Sequence, residues 1–507
     1  MYFLNFPIII SITILILLTL YKYSLKHFDY WKKKGVPYAK PLPLVGNFLQ
    51  VLTFRSSIGH HLEYLYNKFD APFFGVYLLN KPYLIVKSPE LIKSILVTDF
   101  NSFPDRNIIF DEECDSILSQ TLAFIRSSEW KPLRAKLTRV FSIAKMKNMI
   151  NLITEAANEM NDYIERNKNK SFIEAKEVCS RYSTEVIASC AFGIKAHCFE
   201  NENSEFRQIG RNMFGFNWRN AITQSSYLVA PGVAKFFKFS FFDRKVYDFM
   251  RKAFWTTFEE RKKTNQKRND LIDVINQIRK ENTPEDNIKF EGDRAVAQAA
   301  IFYAAGFEPV SSCMAFVLYE LCLHPDIQSK LRKEIKIVLS RYGELIYEAI
   351  QDLKYMEKVI FETLRKYPAL PFLERISAEE YKIPDSDITL EKGTPIFIPM
   401  FGLYHDPKYY PEPQTFDPER FSDDGSENSL YQLAFGGGPR SCIGEKFGLM
   451  EIKIGLTRIL SNYELERSEN TPVPIEFETK CFLLVSKVGL PIKFKKIANL
   501  ESHNHNR

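Results

Sequence analysis

The chain has 507 residues, of which 45% are hydrophobic, 14% aromatic and 26% charged. This composition is enough for a large buried core with a soluble surface, as in a globular protein. The net charge is only +6 and the basic residues are spread along the chain, which argues against a nucleic-acid-binding protein.

The first predicted element is a helix that spans a membrane. Residues 1–21 carry no charge and include the apolar run FPIIISITILILLTLY, which reaches the length that a bilayer-spanning helix needs. Lys22, Lys26 and the lysines at 32–34 follow, so the positive-inside rule places the remaining chain in the cytosol. A cleaved signal peptide is the alternative, but no charge precedes the apolar run and no small-x-small site follows it. We therefore predict an uncleaved signal anchor.

A basic, proline-rich hinge is expected at residues 22–46, with a stiff and non-helical tether from Gly35 to Gly46. Residues 47–498 are predicted to form one catalytic domain without internal repeats, and residues 499–507 a disordered tail. Helical periods dominate the domain, and short β-type runs are fewer. The predicted helices cover 146–166, 172–192, 249–268, 293–323 and 325–342, and the predicted strands lie within 71–86 and 396–400.

A tryptophan and an arginine lie four residues apart in the segment WKPLR, as Trp130 and Arg134. This spacing places both side chains on one face of a helix. A planar N–H donor beside a fork-shaped cation suits a carboxylate ligand. The alternative is an amphipathic surface helix whose tryptophan lies in the core.

The helix predicted at 293–323 contains a proline, Pro309, within the segment AAGFEPVSS. Proline inside a helix costs roughly 3 kcal/mol, because it has no N–H and crowds the carbonyl four residues earlier. That carbonyl belongs to Ala305. The penalty is smaller where the helix already has an opened hydrogen bond at that turn.

Glu362 and Arg365 lie three residues apart on a helix that ends near Pro368, so their side chains can pair. By itself such a pair is usually a solvated salt bridge. Two further arginines follow in distinctive segments, Arg375 in PFLER and Arg420 in FDPERF.

The most informative segment is FGGGPRSCIG at residues 435–444, where one cysteine lies in a glycine-rich loop. A thiolate that binds iron axially needs room for a flat macrocycle, and glycines let the backbone approach and offer N–H groups to the sulfur. Arg440 provides a cation for a haem propionate. The alternative is an ordinary buried cysteine after a glycine turn. The other seven cysteines have no paired C-x-x-C spacing, so no disulfides are predicted in a cytosolic domain.

The spacing F-x-x-G-x-R-x-C-x-G resembles the haem-binding signature of the cytochrome P-450 haem-thiolate enzymes. The other motifs follow in that family's order over roughly residues 100–490. The resemblance implies the cytochrome P-450 fold, mainly α with a small β-sheet region and an N-terminal transmembrane anchor. It also implies haem b as the cofactor. The residues expected to bind it are Phe435, Gly438, Arg440, Cys442 and Gly444 of the loop, together with Trp130, Arg134, Arg375, Ala305 and Gly306. Cys442 is the expected iron ligand, and Glu362, Arg365 and Arg420 are the expected structural triad.

The helix at 293–323 resembles the family's oxygen-binding helix, in which a small residue, glycine, an acid and then Thr or Ser produce a local distortion. Pro309 stands where the hydroxyl is usual. We therefore expect protons to come from Glu308, from water on the freed Ala305 carbonyl, or from Ser312 one turn later. Glu308, Pro309 and Ser312 are the predicted catalytic residues, and oxygen activation is expected to be less tightly coupled to substrate oxidation.

The resemblance implies a monooxygenase that inserts one atom of O2 into a lipophilic small molecule. The electrons would come from NADPH through NADPH–cytochrome P-450 reductase, or through cytochrome b5, because no dinucleotide-binding fingerprint accompanies the haem motif. The local sequence looks most like that of insect microsomal members of the family, which oxidise plant toxins and insecticides. The resemblance therefore implies a location at the cytosolic face of the endoplasmic reticulum membrane. Hormone metabolism stays open, as do a haem-thiolate isomerase or dehydratase acting on peroxides and a non-enzymatic gas-binding protein.

Six phenylalanines are candidate walls of the substrate pocket through the same resemblance, although most of the 42 phenylalanines must be core residues. These candidates are Phe103, Phe110, Phe124, Phe302, Phe372 and Phe482. A basic surface for an acidic flavoprotein is the second expectation, and a plain solvated face is its alternative. Its members are Lys131, Arg134, Lys136, Arg139 and Lys446.

Overall fold

The computed structural model describes residues 5–215, 217–265, 267–268, 270–281, 289–421, 431–481 and 483–497. The α-helices of these residues are α1 (Asn5–Leu25), α2 (Tyr30–Lys33), α3 (Leu49–Leu52), α4 (Ile58–Tyr66), α5 (Pro89–Lys93), α6 (Ser127–Leu137), α7 (Ile143–Asn167), α8 (Ala175–Ile187), α9 (Glu205–Phe214), α10 (Trp218–Val229), α11 (Pro231–Phe236), α12 (Arg244–Thr264), α13 (Leu271–Glu281), α14 (Gly292–Leu323), α15 (Pro325–Tyr342), α16 (Tyr347–Asp352), α17 (Lys354–Lys366), α18 (Met400–Tyr404) and α19 (Glu445–Asn462). The strands are β1 (Phe73–Leu78), β2 (Lys81–Val86), β3 (Ile173–Glu174), β4 (Phe372–Ile376), β5 (Tyr381–Lys382), β6 (Thr389–Leu390), β7 (Pro395–Pro399), β8 (Tyr463–Arg467) and β9 (Pro491–Lys496).

The centre of the helical body is α14, which is buried along most of its length. A helix that is apolar all round belongs in a core, and 72% of its most apolar window is buried inside the protein. Gly306 permits the close approach of α8, because a Cβ at this glycine would lie 2.6 Å from Ile187 Cδ1. The helices α12, α17 and α19 also pack against α14.

The predicted helix at 172–192 is divided in the structure. Ile173 and Glu174 form β3 and pair with Ile492 and Pro491 of β9, so the prediction is wrong for these residues. The Glu174 side chain then accepts hydrogen bonds from the first backbone N–H groups of α8 and caps that helix. Ala188–Phe192 continue α8 as a π-helical segment.

The sheets are small and lie beside the helical body. One sheet has the strand order β1-β2-β7-β4, another β3-β9-β8, and β5 pairs with β6. Strand β2 runs parallel to β7, whereas β1 and β4 are antiparallel to their neighbours. The predicted fold class, mainly α with a small β-sheet region, is confirmed.

The N-terminal helix is a candidate membrane span within Ile8–Lys33, and 6% of its most apolar 18-residue window is buried. The chain then packs against the sheet at Trp31, which is fully buried. Trp31 Nε1 donates a hydrogen bond to the Val76 carbonyl over 3.2 Å. Gly75 makes room for the indole, because a Cβ there would lie 2.3 Å from the ring. The segment after the span is therefore held against β1.

Candidate active site

The glycine-rich loop folds back on itself immediately before α19. The Cys442 N–H donates to the Phe435 carbonyl over 2.7 Å, which closes the loop. Gly438 has φ of +67°, and a Cβ on it would lie 1.8 Å from the Leu96 carbonyl oxygen. Only glycine fits that position, because both the left-handed backbone and the close approach exclude a side chain. The loop is thus held in one shape and presents Cys442 at its end.

The thiol of Cys442 faces an internal space. Protein atoms surround it on almost every side, whereas the residue itself is exposed. Both observations hold if its exposed surface opens into the protein interior. Burial raises the pKa of Cys442, while a hydrogen bond from the Gly444 N–H and the positive charges of Arg134 and Arg106 act in the opposite direction.

Four arginines approach the same space, and their charges repel one another. They are Arg106, Arg134, Arg375 and Arg440. Burial and the charges of Arg106 and Arg440 lower the pKa of Arg375 to about 9. Burial, with Arg106 next in effect, lowers the pKa of Arg440 to about 10. The guanidinium of Arg440 lies 4.3 Å from the Trp130 ring centroid, and that of Arg134 lies 5.9 Å from it.

Asp105 holds several parts of this arginine group in place. Its Oδ1 accepts a hydrogen bond from Arg440 Nη2 over 3.0 Å. It also accepts one over 2.7 Å from the N–H of Ser127, the first residue of α6. Its own carbonyl accepts from the Ile376 N–H of β4 over 3.0 Å. One carboxylate therefore joins the cysteine loop and α6, and its backbone extends the link to β4.

One face of α14 is turned towards the cysteine loop. Ala305 is exposed although Ala304, Phe307 and Glu308 beside it are buried. Phe302, on the preceding turn of the same face, stacks on Phe141 with ring centroids 4.9 Å apart. The loop is adjacent, because the Phe141 ring is 3.4 Å from the position of a Cβ on Gly444.

Pro309 is accommodated without ending α14, which continues to Leu323. Its missing N–H leaves the Ala305 carbonyl without the usual helical donor. Glu308 is directed towards α8, where its Oε1 lies 2.9 Å from Lys176 Nζ. Ser312 Oγ donates to the same oxygen over 3.1 Å. The structure thus brings Glu308 and Ser312 together.

Gly306 is part-buried, and a Cβ on it would meet Ile187 of α8, so this glycine serves the packing of two helices. Its expected contact with the cofactor stays a prediction, as does that of the neighbouring Ala305, which is exposed.

The expected structural triad is assembled below the loop. Glu362 and Arg365 are both buried. The Glu362 carboxylate accepts hydrogen bonds from Arg365 Nε over 2.7 Å and from Arg365 Nη2 over 2.9 Å. Arg420 Nε lies 3.4 Å from Glu362 Oε1. Arg365 also donates to the Tyr404 and Pro413 carbonyls, so this ion pair joins α17 to the segment that leads to the loop.

The candidate pocket phenylalanines lie in different places. Phe110 and Phe124 pack together with ring centroids 4.6 Å apart. Phe110 also contacts Tyr227 and Phe241, with centroid distances of 4.7 and 5.4 Å. These four residues form an aromatic cluster that joins the segment before α6 to α10 and to the segment before α12.

Two other candidates are core residues. Phe103 packs edge-on against Tyr381 at 4.7 Å, and Phe372 of β4 packs on Phe397 of β7 at 4.8 Å. Both belong to hydrophobic clusters around the sheets, so we do not retain them as pocket walls. Phe482 lies outside the described residues.

Sequence reasoning missed three residues of the site, namely Asp105, Arg106 and Lys176. Asp105 and Arg106 stand side by side in a segment without a recognisable motif, and Lys176 is one of many lysines. The charged pair directly after Phe103-Pro104 was the only local signal for the first two. No local signal marked Lys176, because its partner Glu308 is 132 positions away in the chain.

The class of protein follows from this geometry. A thiol and four arginines that face one internal space suit an iron porphyrin with two carboxylates, as in haem-thiolate enzymes. The chain belongs to the cytochrome P-450 family, because the family model described as Cytochrome P-450 matches residues 36–494. It is accordingly a monooxygenase.

Curated relatives match nearly the whole chain. The chain is 38% identical to cytochrome P-450 6k1 of Blattella germanica over 94% of both chains. It is 37% identical to cytochrome P-450 6j1 of the same insect, over 97% of this chain and 98% of the relative. It is 36% identical to the probable cytochrome P-450 6g2 of Drosophila melanogaster, over 93% and 95%.

The residues present fit the haem that the family implies. Arg375 is buried and its Nε has no hydrogen-bond partner in the part of the chain that the structure describes. A buried N–H of a cation without an acceptor is costly, and the carboxylates of haem would satisfy it. Cys442 would be the iron ligand, and the arginine group with Trp130 would hold the propionates. Bound haem supplies the dioxygen chemistry, and the chain supplies the thiolate, the closed site and the protons.

Proposed function

We propose that this monooxygenase oxidises lipophilic xenobiotics at the cytosolic face of the endoplasmic reticulum, with electrons from NADPH–cytochrome P-450 reductase. The single observation that carries the proposal is the accessible face of α14 at Ala305, which shares its side of the protein with the cysteine loop. A substrate held there would meet the reacting face of the haem. The proposed catalytic residues on this helix are Glu308 and Ser312, with Pro309 shaping the turn between them.

The surroundings of this face favour an apolar substrate. The aromatic cluster of Phe110, Phe124, Tyr227 and Phe241 offers flat, non-polar surface, and lipophilic ligands are usually enclosed by such side chains. A neighbouring small cavity extends from the cluster to α14. It is lined by Phe214, Gln224, Phe241, Phe242, Glu308 and Leu483, among others. Phe302 on α14 completes the proposed walls.

A spectral titration tests the substrate class. Lipophilic compounds of varied shape are added to the purified holoprotein, and the spin-state change of the haem spectrum is followed. We expect saturable changes with several apolar compounds, because they displace water from the iron. A protein that only binds gases should respond to none of them, and that result would contradict the proposal.

The electron supply is tested by reconstitution. The holoprotein is assayed with purified reductase and NADPH, and separately with organic peroxides in the absence of reductase. The proposal predicts oxygenated product only when reductase, NADPH and O2 are all present. Turnover restricted to peroxide rearrangement would refute it. The same assay with cytochrome b5 in place of the reductase as the electron donor tests the second expected partner.

The proposed reductase surface includes Lys131 and Lys446, which are exposed, and Lys136, which is partly exposed. Arg139 is less available, because it forms an ion pair with Glu281 at 2.6 Å. Substitution of Lys136 and Lys446 by Glu should lower reductase-dependent turnover most strongly at low salt, since exposed charges are screened by salt. The matched control is Lys392→Glu, an exposed lysine on the turn between β6 and β7. Equal effects of both changes would remove this docking surface.

The membrane location rests on α1. Its described side chains from Ile8 to Tyr21 are exposed, and an exposed apolar helix of this length suits a lipid environment. Lysines after the span favour a cytosolic catalytic body. Protease digestion of intact microsomes checks this orientation: the catalytic body should be degraded without detergent, whereas protection until detergent is added would contradict it.

A further inference from the structure

Strand β4 carries a carboxylate on its aromatic face. Successive side chains of a strand point to opposite faces, so Glu374 shares a face with Phe372, which packs on Phe397. Only 7% of Glu374 is exposed, and its Oε2 has no hydrogen-bond partner among the residues that the structure describes. A charged group among aromatic rings is costly unless it has partners. The other contacts of Glu374 must therefore offset this cost.

The first of these contacts is with the backbone of the segment that precedes α6. Glu374 Oε1 accepts a hydrogen bond from the Ile108 N–H over 3.1 Å. The neighbouring residue is fixed to β2 as well, because Asn107 Nδ2 donates to the Tyr83 hydroxyl over 3.1 Å. Residues 105–108, here called the strap, are thus held against the sheet.

The second set of contacts is with the cations of the haem site. Burial raises the pKa of Glu374, and the hydrogen bond from Ile108 acts in the opposite direction. So do three positive charges, those of Arg106, Arg375 and Lys81. The influence is mutual, because burial lowers the pKa of Arg106 and the charge of Glu374 opposes this. Glu374 is therefore a counter-ion for the arginine group.

The strap continues directly into the aromatic cluster of the proposed substrate pocket. Phe110 follows Ile108 by two residues, which can span at most roughly 7 Å. Ile108 packs against two hydrophobic clusters, one in the helical body and one at the sheet. A shift of the Ile108 N–H away from Glu374 would therefore displace Phe110 from its partners in the aromatic cluster.

We propose that Glu374 is a positioning residue with two separable effects. Its charge balances the arginine group and lowers the reduction potential of bound haem, because a nearby negative charge stabilises the ferric state. Its hydrogen bond to Ile108 holds Phe110 in place in the pocket wall. The first effect concerns the haem alone, whereas the second rests on the proposed substrate pocket.

The first test is a redox titration of purified holoprotein with Glu374→Gln and with Glu374→Leu. Glutamine keeps an acceptor for the Ile108 N–H but has no charge, whereas leucine has neither. Both variants should favour the reduced haem about tenfold, which corresponds to about 59 mV for one electron.

The matched control for the charge is Glu379→Gln. Glu379 is an exposed carboxylate in the segment after β4 and accepts from Ser102 Oγ over 2.7 Å. Its replacement should leave the potential unchanged, because solvent and salt screen an exposed charge. Original potentials in both Glu374 variants, or equal shifts in all three proteins, would overturn the proposed effect of the charge.

The second test measures the pocket wall with two iron ligands of different size. Plain imidazole and an imidazole that carries a triphenylmethyl group are titrated into each holoprotein, and the haem spectrum gives both dissociation constants. Glu374→Leu should weaken binding of the large ligand about tenfold and leave imidazole binding unchanged, because only the large ligand reaches the wall. Glu374→Gln should bind both ligands like the original protein, since it keeps the hydrogen bond.

A double-mutant cycle with Phe110→Ala identifies the part of the wall that Glu374 controls. Phe110→Ala should also weaken binding of the large ligand, and the double variant with Glu374→Leu should bind it no more weakly than Phe110→Ala alone. Additive losses, or original affinity for the large ligand in Glu374→Leu, would overturn the positioning role. Neither titration requires reductase or turnover, so a failure of the proposed xenobiotic oxidation would be seen separately.

Discussion

Arg375 should be a main determinant of haem retention, and Arg375→Met tests this directly. Its guanidinium is buried, donates to the Glu374 carbonyl over 2.7 Å, and is repelled by Arg106 and Arg440. Burial and the charges of Arg106 and Arg440 lower the pKa of Arg375 to about 9, so the charge of its guanidinium is disfavoured at this position. A haem carboxylate relieves this repulsion. A charge-assisted hydrogen bond there contributes about 2–3 kcal/mol, which corresponds to roughly 100-fold slower haem loss.

The assay is the transfer of haem from purified holoprotein to excess apomyoglobin, followed by absorbance. Arg375→Met should lose haem roughly 100-fold faster than the original protein, and Arg375→Lys at an intermediate rate, because lysine keeps the charge without the fork geometry. Arg341→Met is the control: its side chain is 61% exposed and forms an ion pair with Asp352 at 2.9 Å, and its loss should matter less than about threefold. Haem loss from Arg375→Met at the original rate would refute the assigned role.

Two further predictions concern buried carboxylates. Glu362→Gln leaves Arg365 without its buried partner and should cost about 3–5 kcal/mol, so the fraction of expressed protein with a thiolate-type carbonyl spectrum should fall at least about tenfold. Glu419→Gln, at an exposed ion pair with Lys330, should change that fraction little, and equal losses would contradict the triad's role. Glu451 is fully buried, and neither carboxylate oxygen has a hydrogen-bond partner within the described ranges. Burial raises its pKa well above 4.5, so the folded protein holds a proton that the unfolded chain releases, and stability falls as pH rises above that value. Glu451→Gln should therefore flatten the decline of the unfolding free energy above pH 4.5, by up to about 1.4 kcal/mol per pH unit, when urea unfolding is measured as a function of pH. Identical pH profiles of the two proteins would contradict this assignment.

The cysteine loop could be predicted from sequence because its chemistry is local. Phe435, Arg440 and Cys442 lie within eight residues. The glycines between them indicate a backbone shape that other residues would not adopt. The longest helices could also be predicted from sequence, since their periodic patterns extend over many residues. The structure begins α14 within one residue of its predicted start and has α15 at its predicted bounds.

The rest of the site depends on contacts between distant segments. Arg106 belongs to the site because the fold brings it close to Arg375. Lys176 belongs to it because the fold brings it to Glu308. The contact of Gly306 with Ile187 of α8 could not be predicted, because a mostly apolar helix gives no pattern that distinguishes one packed face from another.

The phenylalanines illustrate the same limit. Phe103 in the core and Phe124 in the aromatic cluster have the same hydrophobic character in the sequence, so only the fold separates them. Strand β3 is a similar case, because two residues become a strand only through their pairing with β9 near the other end of the chain.

The most direct test of the whole account is the absorption spectrum of the ferrous carbon monoxide adduct of the purified holoprotein. The account predicts the strongly red-shifted Soret band of thiolate ligation, its loss in Cys442→Ser, and its retention in Cys481→Ser, where a partly buried cysteine lies outside the loop. A holoprotein without that band, or a Cys442→Ser protein that keeps it, would contradict the assignment of Cys442 as the iron ligand.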